Sequence, residues 1–190
     1  RVAWAPQAEQ PEHGTSHISI VDAQGHALAM TTSIEAVFGS RVMSDGGSGL
    51  PGGFLLNNQL TDFSFVPEEN GRPVANRVEG GKRPRSSMAP TIAYDRFGRV
   101  AIVAGSPGGS AIINYVTKTL IGIIDWGLDP QAAIALPNFG SRNGPTELEA
   151  NTDVANLAPK LRALGADVSV IELTSGAQAI VRTNDGWIGG

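Results

Sequence analysis

From Thr15 onward, apolar and polar residues alternate along the chain. Ile18 and Ile20 stand between smaller or polar neighbours, the period-two pattern of a strand. Asp22-Ala-Gln-Gly25 is a turn signal. The chain then returns as a Thr- and Ala-rich strand, so residues 15–34 predict a β-hairpin whose small residues suit a strand packed closely between layers. Phe54-Leu-Leu56 predicts a short buried strand. Residues 90–104 predict a second hairpin, with strands Thr91-Ile-Ala-Tyr94 and Val100-Ala-Ile-Val103 around a turn at residues 95–98. From Ser110 the period changes to that of a helix. Ile112, Ile113, Val116, Leu120, Ile121, Ile123 and Ile124 define a broad apolar face, and Gly127 ends it. Asp129-Pro130 reads as a cap followed by proline at the first helical position, opening a helix through Leu136. Leu157, Leu161 and Leu164 predict a further helix over residues 156–164, stopped by Gly165. Residues 167–173 predict a strand, and residues 178–183 with Trp187 onward a last hairpin around Asn184-Asp-Gly186. Strands first, then helices, then strands again indicate an α+β architecture with antiparallel pairing.

Two long stretches lack periodicity. Residues 44–53 hold five glycines and a proline, and residues 67–82 mix proline, glycine, asparagine and charge. Loops of such length in a compact domain usually carry function. Residues 1–13 are polar, contain Pro6 and Pro11, and read as a loose lead-in without an apolar segment.

Composition narrows the chemistry. Of 190 residues, 24 are Gly, 12 are Pro and none is Cys. A coiled coil, a disulfide scaffold, a thiolate metal site and a cysteine nucleophile are thereby excluded. Apolar residues at 41% and a net charge of only −4 argue against disorder. The acidic balance and the lack of aromatic residues among the cations argue against nucleic acid. No apolar run reaches the roughly 18 residues of a spanning helix. His13 and His17 are four apart, but His17 falls on a strand, so helical metal-ligand geometry fails; no metal site and no cofactor is expected.

Three short segments offer chemistry. Gly105-Ser-Pro-Gly-Gly-Ser110 lies between a strand and a helix, where consecutive amides can hold an anion or a developing oxyanion, or simply make a tight turn. Lys82-Arg-Pro-Arg85 before Ser86-Ser87 can bind a carboxylate or phosphate, or remain a solvated loop. Gly14-Thr15 becomes reactive only if the peptide between them is cut. Thr15 would then carry an α-amino group, of unperturbed pKa near 8, beside its own hydroxyl, the arrangement of an N-terminal threonine nucleophile. Taken singly, none of the three decides a function.

Taken in order they do more. His13-Gly-Thr-Ser-His17, Leu55-Leu-Asn-Asn-Gln-Leu-Thr-Asp-Phe-Ser64, Lys82-Arg-Pro-Arg-Ser-Ser-Met-Ala-Pro-Thr91, Gly105-Ser-Pro-Gly-Gly109 and Asp125-Trp-Gly-Leu128 together resemble the small catalytic subunit of the γ-glutamyltranspeptidase (glutathione hydrolase) family, from about His13 to Gly190. The resemblance implies an N-terminal-nucleophile hydrolase fold, a four-layer α/β/β/α sandwich of antiparallel sheets. It implies a precursor that cuts itself between Gly14 and Thr15. Residues 1–14 would then precede the processing site, as the end of a large subunit or a linker, and residues 15–190 would form the catalytic domain. The large subunit, outside this chain, would be the partner and would add an arginine to the α-carboxylate site. The resemblance makes Thr15 the nucleophile and places Ser33 beside it. It assigns Glu35, Gln59 and Asp62 to the donor's α-ammonium and Ser86 and Ser87 to its α-carboxylate. Gly108 and Gly109 become the oxyanion donors. The implied reaction is cleavage of γ-glutamyl amides through a γ-glutamyl-threonine ester, with transfer to water or an amine, in a periplasmic or secreted location. Two alternatives keep the same segments: an acylase acting on β-lactam side chains or poly-γ-glutamate, and an unprocessed, non-catalytic fragment.

Overall fold

The computed structural model describes residues 14–190; the lead-in expected over residues 1–13, with His13, lies outside the described residues. The first hairpin forms as expected, from β1 (Thr15–Val21) and β2 (Ala27–Ser33). The Asp22 carboxylate closes its turn by accepting the Gln24 and His26 amides at 2.9 and 2.8 Å. The chain divides into two compact units. Residues 14–15 with Ser33–Ser86 form one, and Ser16–Thr32 with Ser87–Gly190 form the other.

The first unit is built mostly from turns. β3 (Met43–Ser44) pairs antiparallel with β4 (Phe54–Leu55), stapling the ends of the glycine-rich loop together. A 3-10 turn follows at Gln59–Asp62. The stretch 67–82 is more ordered than its composition suggests. β5 (Glu68–Glu69) and β6 (Arg72–Pro73) make a tight hairpin, with Asn70 and Gly71 both left-handed at φ 52° and 71°. Asn-Gly is the dipeptide such a turn demands. Phe63 and Val74 are buried beneath it.

The second unit centres on a four-stranded antiparallel sheet of order β13 (Gly186–Gly189), β12 (Gln178–Thr183), β8 (Val100–Gly105), β7 (Thr91–Tyr94). The β7–β8 turn is fixed by Asp95, whose carboxylate accepts the Phe97 and Arg99 amides and pairs with the Arg99 guanidinium at 2.8 Å. α1 (Ile112–Ile124) and α2 (Pro130–Ala135) cover this sheet: Leu120, Ile123 and Ile134 pack on Ile102, Ala104 and Ala179. Asp129 caps α2 by accepting the Ala132 amide. The buried face of α1 takes only part of its run of isoleucines, Ile112 and Ile123. Ile113, Ile121 and Ile124 point outward, while Tyr115, Lys118 and Thr119 are buried with Ile112 and Val116. Lys118 sits there because its Nζ donates to the Ile134 and Leu136 carbonyls at 2.9 and 2.6 Å. A cation there satisfies carbonyls that the end of a helix leaves open.

A second sheet has the order β11 (Val168–Ile171), β10 (Thr146–Glu149), β9 (Phe139–Gly140). β10 and β11 run parallel, joined through a 3-10 turn at Asp153–Leu157 and α3 (Ala158–Ala163), which is shorter than the expected 156–164 helix. Among strands β1–β13, this parallel pair departs from the antiparallel pairing of the others. The intervening helix is the crossover that parallel strands require.

The first hairpin also turns the opposite way from its composition. Ile18, Ile20, Leu28 and Met30 lie on the exposed face, while Thr15, His17, Ser19, Thr31 and Ser33 occupy the more covered one. Ser19 Oγ donates to the Val103 carbonyl of β8. No helix among the described residues is long and apolar enough to cross a membrane.

Candidate active site

Thr15 opens β1 and faces Ser33 at the end of β2. Its Oγ1 donates to Ser33 Oγ at 3.2 Å, and Ser33 Oγ also accepts the Glu35 amide at 2.9 Å. Glu35 adopts the left-handed conformation at φ 69°, which costs a residue with a Cβ about 1–2 kcal/mol. Its neighbours hold it there. Asn58 Oδ1 accepts the Ala36 amide at 3.0 Å, the Asn58 amide donates to the Ile34 carbonyl, and Asn58 Nδ2 donates to Glu35 Oε2 and Thr61 Oγ1. Gly14, just before Thr15, has φ 97°; a Cβ there would stand 2.7 Å from the Glu35 carbonyl oxygen and 2.9 Å from that of Ala36. Only glycine fits that close approach.

The same 3-10 turn carries the other two expected ammonium ligands. Gln59 Nε2 donates to Asp62 Oδ2 at 2.8 Å, and the Gln59 amide donates to Asn57 Oδ1. Asn76 Nδ2 donates to the Asp62 carbonyl at 2.6 Å, and Asn76 Oδ1 accepts the Arg85 amide at 2.8 Å, so one asparagine ties the turn to the basic stretch. Within that stretch Lys82 donates to the Ala75 carbonyl and pairs with Glu79, which also pairs with Arg77.

Thr15, Ser33 and Glu35 are thus joined, and Gln59 and Asp62 follow directly on Asn58. Asn58 and Asn76, which hold this constellation, escaped the sequence reading. Asn58 lies inside the Leu-Asn-Asn-Gln motif, but its partner Glu35 is 23 residues away and no local spacing announces the pair. Ser86 is the exposed last residue of the first unit and Ser87 the partly buried first residue of the second stretch.

Gly108 and Gly109 lie in the second unit, between β8 and α1. Gly108 has φ 133° and Gly109 φ 55°, and the turn starting at Gly109 has no side-chain cap. A Cβ on Gly108 would meet the buried Tyr115 ring, 2.8 Å from Cδ2. Burial, reinforced by the charges of Glu149 and Glu147, holds the Tyr115 hydroxyl above its ordinary pKa, so it remains protonated. Ser110, next along, accepts from the Arg142 guanidinium, which also pairs with Glu147 at 2.5 Å. Arg142 is a second tether that the sequence did not reveal. The glycine segment is therefore a turn between β8 and α1, with Tyr115 packed against Gly108 and Arg142 bonded to Ser110. Among the described residues, no group of three or more His, Cys, Asp or Glu is placed to hold a metal.

The gamma-glutamyltranspeptidase family model matches residues 2–190. The glutathione hydrolase proenzyme of Escherichia coli K12 is 38% identical over 182 residues, covering 93% of this chain and 30% of that protein. The matches span less than a third of the length of the curated relatives, 30% of that one and 24% and 22% of two bacterial others. Among solved structures, an acivicin-inhibited gamma-glutamyltranspeptidase superposes with a TM-score of 0.75 at 31% identity, covering 92% of this chain and 94% of that one. The T380A mutant of the Helicobacter pylori gamma-glutamyltranspeptidase superposes with a TM-score of 0.74 at 32% identity, covering 92% and 95%. The α+β fold is that of these N-terminal-nucleophile hydrolases, and neither the acylase nor the inert-fragment alternative is favoured. By the match along nearly its whole length and by its fold, the chain belongs to the gamma-glutamyltranspeptidase family.

Proposed function

We propose that this chain carries the catalytic machinery of a self-processing hydrolase and transferase of γ-glutamyl amides. The observation that carries the reading is the hydrogen-bonded series from Thr15 through Ser33 to Glu35 and Asn58. Cutting between Gly14 and Thr15 makes residues 15–190 the catalytic domain and gives Thr15 a free α-amine. That amine takes the Oγ1 proton as Oγ1 attacks the γ-carbonyl carbon of the donor. The oxygen that gains charge is received by the Gly108 and Gly109 amides. Collapse breaks the C–N bond, the proton passes to the departing amine, and a γ-glutamyl ester remains on Thr15. Water or an acceptor amine then attacks the ester carbon, and Thr15 Oγ1 recovers a proton.

A γ-glutamyl donor presents an ammonium and a carboxylate on one carbon. Glu35, Gln59 and Asp62 complement the ammonium, with Asn58 aiming the Glu35 carboxylate. Ser86 and Ser87 supply hydroxyls for the carboxylate. The partner is the rest of the precursor. Ile18, Ile20, Leu28 and Met30 on the hairpin and Val37, Phe38, Val42 and Met43 in the first unit are exposed, and large apolar side chains gathered on a surface mark interaction sites. The greater part of its relatives' length, which this chain does not span, would cover them. A location in the periplasm or outside the cell follows from the family resemblance.

The test is substrate choice by the full-length protein. A γ-glutamyl anilide is expected to be turned over and a glutaryl amide, which lacks the α-ammonium, to be turned over at least a hundredfold less efficiently. Turnover of the glutaryl amide alone contradicts the reading.

A further inference from the structure

Side chains two apart on a strand share a face, so the face of β1 that carries Thr15 also carries His17 and Ser19. His17 is only 4% exposed. Its ring lies on the backbone of Gly105, where a Cβ would run into Cε1, Nδ1 and Nε2, the last at 2.6 Å. Gly105 is the last residue of β8, and the Ser-Pro-Gly-Gly turn leaves from it.

Both ring nitrogens are engaged. Nδ1 lies 2.8 Å from Thr31 Oγ1 and Nε2 lies 3.0 Å from Ser19 Oγ, which donates to the Val103 carbonyl at 3.4 Å. The direction of these bonds follows from what each group can do. A carbonyl only accepts, so Ser19 commits its proton to Val103 and accepts from His17 Nε2–H. A neutral imidazole has one N–H, so Nδ1 accepts from the Thr31 hydroxyl. The result is a one-way series from Thr31 to His17 to Ser19 to Val103. Protonating Nδ1 would force the Thr31 hydroxyl to reverse. Burial holds the imidazole below its ordinary pKa and so favours the neutral form. The groups that β1, β2 and β8 present to the ring are Ser19, Thr31, Gly105 and the Val103 carbonyl, and none of them titrates near neutral pH.

We propose that His17 is a positioning residue: as a neutral Nε2–H imidazole it fixes the nucleophile's strand against Gly105 and so sets where the Ser106–Gly109 turn begins. This rests on the roles proposed above for Thr15, Gly108 and Gly109. His17 touches no reacting atom; it acts through the two segments it locks together.

Two measurements on the full-length protein test this. Long-range 1H–15N spectra of labelled histidine should show His17 with Nδ1 unprotonated, persisting well below pH 6.5; an Nδ1–H tautomer, or ordinary titration near 6.5, overturns the proposal. The isosteric variant Thr31→Val removes the donor to Nδ1 without emptying space. It should fold and cut itself, with kcat for a γ-glutamyl anilide at least tenfold lower and KM within about twofold. Unchanged kcat overturns the proposal. Gly105→Ala should lose more, and adding His17→Ser should restore part of the loss, since the collision is with the ring. Losses that merely add argue against the contact. If the unmodified protein neither cuts itself nor turns over the anilide, the underlying reading has failed; if it does both and Thr31→Val matches it, only this proposal has.

Discussion

Glu35 concentrates the residue-scale argument. It is held left-handed, receives the Asn58 amide on its carboxylate, and its own amide donates to the serine that Thr15 contacts. Such strain persists only where surroundings impose it, and it gathers at functional sites. In the proposed role its carboxylate supplies a charge-assisted bond to the donor's ammonium, a class worth about 1.5–3 kcal/mol. Glu35→Gln keeps the shape and the bond from Asn58 in altered form but removes the charge. Steady-state kinetics with a γ-glutamyl anilide should show KM rising about 10- to 100-fold, the equivalent of that energy, with a smaller change in kcat. An unchanged KM would place the ammonium elsewhere.

At the scale of elements, the proposed mechanism places the developing oxyanion at the strand-to-helix turn. Gly108 lies against the Tyr115 ring of α1 at a φ that side chains avoid, so Gly108→Ala must displace either the turn or the helix. Removing one oxyanion donor from such a site costs about 10²–10³ in kcat. Gly108→Ala should lose activity on that order while remaining folded by circular dichroism, and activity within threefold of the parent would clear the turn of this role. The turn and α1 were legible because a period-two run breaks at Gly105 and a helical run resumes beyond it. β7, β8 and the last hairpin were legible as apolar runs bounded by turn residues, and α2 by its Asp-Pro start. β10 was not, since Thr-Glu-Leu-Glu offers one buried residue, Leu148, and its parallel partner lies some twenty residues on. The apolar run of α1 gave the helix and part of its face: Ile112, Val116, Leu120 and Ile123 turn inward, Ile113, Ile121 and Ile124 do not, and Lys118 is buried through its bonds to the carbonyls of Ile134 and Leu136. Asn58, Asn76 and Arg142 act across 23, 14 and 32 residues, where periodicity carries no signal.

For the whole molecule, the covered histidine predicts how stability changes with pH. The folded state holds His17 below its ordinary pKa, so the unfolded chain binds a proton first as pH falls. Stability from this group is therefore complete above about pH 6.5, the unfolded value, and is lost as pH descends toward the folded one. Thermal unfolding should move to lower temperature between pH 7 and pH 5, and His17→Gln should flatten that slope; equal slopes in the two proteins would deny His17 this part. The proposed activity depends on one peptide bond. Gly14 is pressed against the Glu35 and Ala36 carbonyls, and Thr15 follows it into hydrogen-bond contact with Ser33. Intact-mass analysis of the full-length protein, incubated after purification, should show two chains separated between Gly14 and Thr15, and Thr15→Ala should remain a single uncut chain. Persistent cutting at that bond in Thr15→Ala, or a parent protein that stays whole, would contradict the account.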